Sequence, residues 1–418
     1  MTSTSDVRLD LRGQPAQRQM QLLHEQQVVL RGTGRIVRAV VESRPVRLYI
    51  SLLESGHRVS LETEDSCTIL VLAPDSSTPA GGVRGAHSVV AHPDGRVYTN
   101  TDGDRVAVID GATRKLLRHI PVGLNPQHLE LSEDALRLYV ANGDSDDVSV
   151  VDTTTDTVIA VMPTGKRPLL PCVAPETGFL FVPSGPDQTL TVADANGSVM
   201  VTLPVGDAPH DVAVSPDGRW AYQPNSGSHT LTIINALHPQ VVGEVPVGLG
   251  PGHVTFTPDG RHAYVANTLS DDVSVVDTAN HEVIATIPAG TAAHFPALSH
   301  DGRFGYVANF ASDDLTVWDT ATNTAIDRIA VGIYPHVFGI SPDDRWIVVS
   351  NTGESSVCLI DVGQRRAVTT LAVGGAPAHV AFGPDGTCAF VGCRLSNDVA
   401  VIDLPGQRVI DRIPAGTC

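Results

Sequence analysis

The sequence is poor in positive charge and has no long apolar segment. Its 418 residues contain 28 Lys and Arg against 46 Asp and Glu, which gives a formal net charge of −18. Nucleic acid binding requires clustered Lys and Arg, and because no such run is present we expect no nucleic acid partner. No apolar stretch reaches the roughly 18 residues of a membrane-spanning helix, so we also expect no membrane partner.

Two further absences concern the cellular compartment. Residues 1–32 lack the continuous apolar segment of a secretory signal, which predicts a cytoplasmic protein. The six cysteines include no CxxC or CxxCH motif, so we expect reduced thiols and neither a disulfide framework nor covalent haem.

The chain does contain a long internal repeat. One glycine closes segments such as HIPVG and TIPAG and recurs every 42 residues, with one step of 41, at Gly123, Gly165, Gly206, Gly248, Gly290, Gly332, Gly374 and Gly416. A second marker keeps the same step at the end of alternating apolar runs such as VSVVD: Asp110, Asp152, Asp194, Asn235, Asp277, Asp319, Asp361 and Asp403. A fixed period of this length is typical of repeat architectures.

Each repeat has the pattern of four short strands. The fifth repeat, for example, runs through VTFTPDGR, AYVAN, DDVSVVD and EVIATIPAG, with a PDG turn after the first strand. Radial repetition of four-stranded antiparallel sheets is the β-propeller solution to exposed sheet edges. We predict an all-β, eight-bladed β-propeller over residues 84–418, with seven blades as the fallback.

The N-terminal region lies outside the repeats. Residues 1–46 form a polar extension, and residues 47–83 contain two strand-like segments, RLYIS and SCTILVLAP, which we interpret as accessory strands. The ring then closes in one of two ways: the first and last blades pack together, or an N-terminal strand adds to one of them.

The repeats resemble a known family. RLYVANGDSDDVSVVDTTTDTVIAVMPTG and HAYVANTLSDDVSVVDTANHEVIATIPAG are similar to the YVTN-type propeller repeat. The propellers of lactonases, streptogramin-type lyases, nitrous oxide reductases and haem-binding nitrite reductases are more loosely similar. This resemblance implies the fold and leaves the chemistry open.

Seven of the eight repeats carry a histidine in the loop before their first strand. Four of these histidines lie five positions before the residue that precedes the PDG-type turn: His87, His210, His294 and His336. Three lie four positions before it: His128, His253 and His379. Successive strand residues point to opposite sides, so we expect the first set to converge at the channel mouth and the second to pack between blades.

Converging imidazoles suit metal binding and proton transfer near neutral pH. We predict that the metal ligands or acid and base groups are His87, His210, His294 and His336, with copper, iron, zinc or nickel as the metal. The APHD segment around His210 resembles the element that presents histidine to copper in nitrous oxide reductase propellers. The third repeat has Lys166 and Arg167 instead of histidine, and together with Tyr334 these are the predicted contacts of an anionic substrate.

Two smaller patterns favour structural roles. The asparagine that ends the second strand of most repeats, such as Asn267, is expected to cap loop backbone groups. The SDD triplets, such as residues 270–272, are expected to form solvated turns.

Three functions remain open from the sequence. The first is a cytoplasmic enzyme that acts on a small organic substrate at the channel mouth, by metal-assisted lyase or hydrolase chemistry or by oxidoreductase chemistry. The second is a non-catalytic scaffold whose acidic surface binds a protein partner. The third is a propeller that binds haem non-covalently.

Overall fold

The chain divides into two units, Met1–Arg84 and Gly85–Cys418. The structure, a computed structural model, describes four strands of the first unit and nearly all of the second: the described residues are Val7–Asp10, Val37–Val41, Arg58–Glu64, Cys67–Ala73 and 85–416.

The first unit contains a four-stranded sheet of its own. Its strands β1 (Val7–Asp10), β2 (Val37–Val41), β3 (Arg58–Glu64) and β4 (Cys67–Ala73) lie in the order β1-β2-β4-β3, with β1 parallel to β2. The predicted strand in SCTILVLAP corresponds to β4, whereas RLYIS lies outside the described residues. None of these four strands joins a sheet of the second unit.

The second unit consists of eight four-stranded antiparallel blades, each a meander of consecutive strands. Blade 1 contains β5–β8 (Val89–Ala91, Arg96–Asn100, Arg105–Asp110 and Lys115–Pro121), and blade 2 contains β9–β12 (Pro126–Leu131, Arg137–Asn142, Asp147–Asp152 and Thr157–Pro163). Blade 3 contains β13–β16 (Cys172–Val173, Leu180–Ser184, Thr189–Ala193 and Val199–Pro204), and blade 4 contains β17–β20 (Ala213–Val214, Trp220–Asn225, Thr230–Asn235 and Gln240–Pro246).

Blades 5 to 8 continue the series without interruption. Blade 5 contains β21–β24 (Pro251–Phe256, His262–Asn267, Asp272–Asp277 and Glu282–Pro288), and blade 6 contains β25–β28 (Ala293–Leu298, Phe304–Asn309, Asp314–Asp319 and Thr324–Ala330). Blade 7 contains β29–β32 (Pro335–Ile340, Trp346–Asn351, Ser356–Asp361 and Arg366–Ala372), and blade 8 contains β33–β36 (Pro377–Phe382, Cys388–Cys393, Asp398–Asp403 and Arg408–Pro414).

The eight-bladed prediction is confirmed, and the seven-bladed fallback is wrong. Blade 8 packs directly against blade 1: Phe390 and Val401 of blade 8 share one buried cluster with Val97 and Ile109 of blade 1. Among the described residues both blades use only their own four strands, so the ring closes by side-chain packing and not by an added strand.

Burial explains why each blade takes this form. In blade 5, the strands HAYVAN (His262–Asn267) and DVSVVD (Asp272–Asp277) are buried along nearly their whole length, because both faces of the sheet contact neighbouring blades. The outer strand EVIATIP (Glu282–Pro288) is mostly exposed. β-Branched residues dominate the middle strands, as expected for tightly packed sheets.

One contact accounts for both the repeated glycine and the repeated asparagine. A Cβ atom on Gly248 would lie 2.5 Å from the Asn267 amide nitrogen, so no larger residue fits there. Asn267 Nδ2 donates hydrogen bonds to Asp272 Oδ1 at 2.7 Å and to Ser274 Oγ at 2.9 Å. Asn267 thus has a structural role, but its amide nitrogen bonds two side chains and not the loop backbone groups that were expected.

The SDD triplets lie in turns at the surface, as expected, and they also make specific hydrogen bonds. Asp272, the last residue of one triplet, accepts the hydrogen bond from Asn267. Asp271, the residue before it, has a φ of 60° and accepts a hydrogen bond from the Ala292 backbone N–H, at the start of the next blade, at 2.7 Å. The triplet therefore connects blade 5 to blade 6.

The described part of the chain contains no helix with the length and apolar character needed to cross a bilayer. The cytoplasmic location stays a prediction.

Candidate active site: a ring of histidines

In blades 2, 5, 6, 7 and 8 the innermost strand starts with an irregular segment that carries the histidine, whereas His87 and His210 precede the innermost strands of blades 1 and 4. In blade 2, Pro126 pairs with Asn142 and His128 with Ala141, so that Gln127 is an extra residue in the strand. In blade 7, the regular ladder is interrupted between Pro335 and Phe338. Such β-bulges change the direction in which the following side chains point.

These bulges bring the two predicted histidine sets together. The expectation that His128, His253 and His379 face away from the other four is wrong, because simple strand alternation does not hold across a bulge. His253 is in ring contact with both His210 and His294, at centroid distances of 5.0 and 4.9 Å. All seven imidazoles take part in contacts of this kind, and they form two groups.

The first group, the three-histidine cluster, consists of His87, His128 and His379. Its ring centroids lie 5.0, 5.1 and 5.4 Å apart, and one ligand nitrogen from each ring lies within 4.8 Å of the others. These residues come from blades 1, 2 and 8. Because His128 and His379 belong to blades that are not neighbours, their contact places the cluster near the axis of the ring.

The second group, the four-histidine arc, consists of His210, His253, His294 and His336 from blades 4 to 7. Successive centroids lie 5.0, 4.9 and 4.9 Å apart, and His294 stacks on His336 at an interplanar angle of 25°. The structure therefore brings together three of the predicted ligands in the arc and places His87 in the other group.

Asp211 orients one member of the arc. His210 and Asp211 lie in the gap between the isolated bridge of Pro209 with Asn225 and the short strand Ala213–Val214, so neither residue is held in a regular ladder. The Asp211 carboxylate Oδ2 lies 3.1 Å from His253 Nδ1, and both side chains are largely buried. A carboxylate in this position favours the tautomer of His253 with the proton on Nδ1.

Burial keeps most of these imidazoles neutral at neutral pH. It lowers the pKa of His210 and of His379 to about 4, and that of His336 to about 3. Burial is also the largest cause that lowers the pKa of His87 and of His294. Neutral imidazole is the form that accepts protons and binds metals.

Several ring nitrogens lack an internal partner. Within residues 85–416, the buried atoms His128 Nδ1, His294 Nε2 and His336 Nδ1 have no hydrogen-bond partner. Buried polar atoms are nearly always satisfied, so unpartnered nitrogens in both groups of histidines favour a site for a ligand.

A buried cation lies beside the histidines. Arg394 is the residue directly after β34 of blade 8, and only 7% of its surface is exposed. After burial, its charge is the largest cause that lowers the pKa of His87. A buried guanidinium next to neutral imidazoles favours an anionic group on any bound molecule.

Two further titratable groups lie near Asp211. Burial raises the pKa of Glu130 to about 8, and the negative charge of Asp211 adds to this shift. Burial also raises the pKa of the Cys172 thiol, with Glu130 as the next cause, so this cysteine stays protonated. Glu130 therefore holds a proton at neutral pH.

None of the three predicted substrate contacts is among the ring contacts just described. The Lys166 and Arg167 side chains are exposed, and their backbone N–H groups donate to Asp187 Oδ2 at 2.8 Å and to Asp146 Oδ1 at 2.9 Å. Tyr334 is fully buried and stacks on Phe310, which in turn contacts the His336 ring. Tyr334 thus packs against Phe310, a residue that contacts the arc.

Sequence reasoning missed Asp211, Glu130 and Arg394. Arg394 could have been noticed in the sequence as the one charged residue directly after the second strand of a repeat. In the other blades this position holds a small or polar uncharged residue, or Phe310 in blade 6. Asp211 directly follows a predicted ligand. Glu130 has no local signal, since its shifted pKa depends on tertiary burial.

Comparison with known proteins agrees with this architecture. The family model described as "Lactonase, 7-bladed beta-propeller" matches residues 204–367 and 332–411. No curated protein sequence matches the chain significantly.

Several solved structures share the fold. One is NirN, a dihydro-haem d1 dehydrogenase in complex with DHE, with 18% identity and a TM-score of 0.66 over 82% of this chain and 77% of that chain. A second is the hydrazine synthase of Kuenenia stuttgartiensis, with 19% identity and a TM-score of 0.55 over 79% of this chain and 99% of that chain. A third is a functionally unknown protein from Desulfotomaculum acetoxidans, with 15% identity and a TM-score of 0.55 over 69% and 96%.

The fold and the converging histidines define the class: an eight-bladed β-propeller protein. Within that class, the chain is loosely similar to the lactonase propellers, as its repeats indicated. These similarities fit a propeller enzyme in general terms.

Proposed function

We propose that the chain is an enzyme that acts on a small organic anion at the ring of histidines, by metal-assisted hydrolase or lyase chemistry. Opening of a lactone or a related ester is the reaction that fits the residues best. The observation that carries the proposal is the Asp211–His253 pair, at 3.1 Å, within a ring of neutral imidazoles. The match to the lactonase family model supports the same reaction class.

Two residues carry out the proton transfers of this reaction. His253, oriented by Asp211, accepts a proton from water as the water oxygen bonds to the ester carbonyl carbon. Glu130, with a pKa of about 8, donates its proton to the leaving oxygen as the carbon–oxygen bond breaks. Exchange with solvent then returns a proton to Glu130 and removes one from His253.

Arg394 and the outer cations set the preference for an anion. Arg394 is buried beside the three-histidine cluster, where a substrate carboxylate gains a charge-assisted hydrogen bond. Lys166 and Arg167 are exposed in blade 3, which lacks the loop histidine, and increase the local concentration of anions in this acidic protein.

The imidazoles also suit a metal ion. Copper, iron, zinc or nickel held by ring nitrogens would supply a Lewis acid that polarises the substrate carbonyl. The unpartnered nitrogens of His128, His294 and His336 support this part of the proposal.

The test is hydrolysis of a panel of lactones and esters, with and without a carboxylate group. We expect the wild type to prefer the carboxylate-bearing compounds and Asp211→Asn to lower kcat at least ~100-fold, the usual contribution of an oriented base. His238→Ala, at an exposed histidine on an outer turn, serves as the matched control and should keep the wild-type rate. Full activity of Asp211→Asn, or no hydrolysis of any compound, would contradict the proposal.

A tetrapyrrole-binding oxidoreductase is the second candidate. It is favoured by the similarity to NirN, which was solved in complex with DHE, and by the buried Arg394 that could meet a propionate. Visible absorption of the untagged, purified protein, together with absence of ester hydrolysis, would favour this candidate over the first.

A further inference from the structure

The three-histidine cluster lies where the ring closes. His87 belongs to blade 1, the first in the chain, and His379 to blade 8, the last. The His379 backbone N–H donates to the His87 carbonyl oxygen at 3.2 Å. A Cβ atom on Gly392 of blade 8 would lie 2.8 Å from the Ala86 carbonyl oxygen, which shows how closely the two blades meet.

The closure has no strand shared between the two blades. Among the described residues, blades 1 and 8 each use four consecutive strands, and their contact is side-chain packing with few backbone hydrogen bonds. Opening the ring at this seam therefore breaks fewer backbone bonds than disrupting any single blade. A bond between the two blades would oppose that opening.

The cluster has the geometry of a metal site. Its three ligand nitrogens lie within 4.8 Å of one another. A tetrahedral ion with bonds of about 2.1 Å places its nitrogen ligands about 3.4 Å apart, a separation that small imidazole rotations achieve here. His87 Nδ1 lies 3.4 Å from the Gln127 carbonyl oxygen, an outer contact that leaves Nε2 for the metal. His128 Nδ1 is buried without a partner.

We propose that His87, His128 and His379 bind one divalent transition metal ion, with zinc as the type case, and that this ion fastens blade 8 to blades 1 and 2. The fourth position remains open. An anion at the open position offsets the charge of the ion, so a small carboxylate should strengthen metal binding. This inference does not depend on the proposed hydrolysis.

Metal analysis after equilibrium dialysis tests the ligands. We expect metal-free wild type to take up one Zn²⁺ per chain, and His87→Ala and His379→Ala to bind it at least ~10-fold more weakly, as loss of one ligand requires. His238→Ala, at an exposed histidine on an outer turn, is the matched control and should bind as the wild type does. A second substitution at the same position, His379→Gln, and circular dichroism spectra of every variant distinguish loss of a metal ligand from loss of folding.

Hydrogen exchange tests the closure itself. On addition of Zn²⁺, backbone amides in peptides covering residues 86–91 and 377–382 should exchange more slowly, while those in residues 262–267 of blade 5 should not change. The effect should disappear in His379→Gln.

Two results would overturn the inference: zinc bound by both cluster variants as tightly as by the wild type, or zinc bound by the cluster without slower exchange at the seam. Either result leaves the hydrolysis assay unaffected. Conversely, a protein that binds zinc as described and hydrolyses no ester would contradict only the proposed function.

Discussion

At the scale of single residues, the surroundings of each side chain in the site determine whether it is charged, even for groups of the same chemical type. Two carboxyl groups near each other differ: burial raises the pKa of Asp211, but the hydrogen bond and charge of His253, the charge of His210 and a backbone hydrogen bond together bring it below its usual value, whereas burial raises the pKa of Glu130 to about 8. Asp211 is therefore ionised and Glu130 protonated at neutral pH. This is the division expected of a base-orienting group and an acid.

The raised pKa of Glu130 gives a prediction about pH. Because Glu130 acts as the acid in its protonated form, kcat for ester hydrolysis should fall as the pH rises above about 8. Glu130→Gln should lower kcat and remove that alkaline decline. A pH profile of both proteins measures this.

A wild-type profile that stays level to pH ~10 would contradict the role of Glu130. Glu133→Gln, an exchange of a nearby carboxyl group in the PDG-type turn of the same blade, is the control and should leave the profile unchanged.

The positions of the site histidines could be predicted from the sequence, but their arrangement in space could not. The seven loop histidines were visible as a repeated position, but their grouping was not, because it depends on bulges that differ between Pro-Gln-His in blade 2 and Pro-His in blade 7. The pKa of Glu130 depends on burial and on Asp211, which is far away in the sequence. No local pattern contains that information.

At the scale of the element, the repeat is visible in the sequence because one contact recurs at seven of the eight repeated glycines. At these positions the small glycine that ends an outer strand makes room for the side chain that ends a second strand, as Gly248 does for Asn267 and Gly123 for Asn142. This constraint keeps the spacing close to 42 residues. The strands, their order and the blade count could therefore be predicted.

The connection between blades gives a prediction about stability. Asp271→Gly keeps the left-handed backbone at this position, where φ is 60°, but removes the hydrogen bond to the Ala292 amide. We expect it to lower the free energy of unfolding by about 1–2 kcal/mol. Chemical denaturation measures the change.

Asp271→Asn is the matched control for this variant. Its side-chain oxygen still accepts the hydrogen bond and asparagine tolerates positive φ, so its stability should stay near that of the wild type. Equal loss in both variants would mean that the charge, and not the hydrogen bond, matters at this position.

At the scale of the whole molecule, eight blades from one chain converge on one axis, and seven of them contribute an imidazole there. The blades of the three-histidine cluster include both ends of the ring, and those of the arc follow one another from blade 4 to blade 7. Blade 3, which has Leu169 and Leu170 in place of histidine, separates the two groups. Under the two proposals, the three-histidine cluster is the metal site and the arc is the proton-transfer site of the same ring.

The central claim is that chemistry takes place among these imidazoles. Diffraction data collected at the zinc absorption edge, from crystals of the full chain grown with zinc and a small hydroxycarboxylate, test it most directly. The account predicts an anomalous peak at about 2.1 Å from one nitrogen each of His87, His128 and His379, with the carboxylate density beside Arg394. Zinc and carboxylate bound only at the outer edges of the blades, with the imidazoles contacting only one another, would contradict it.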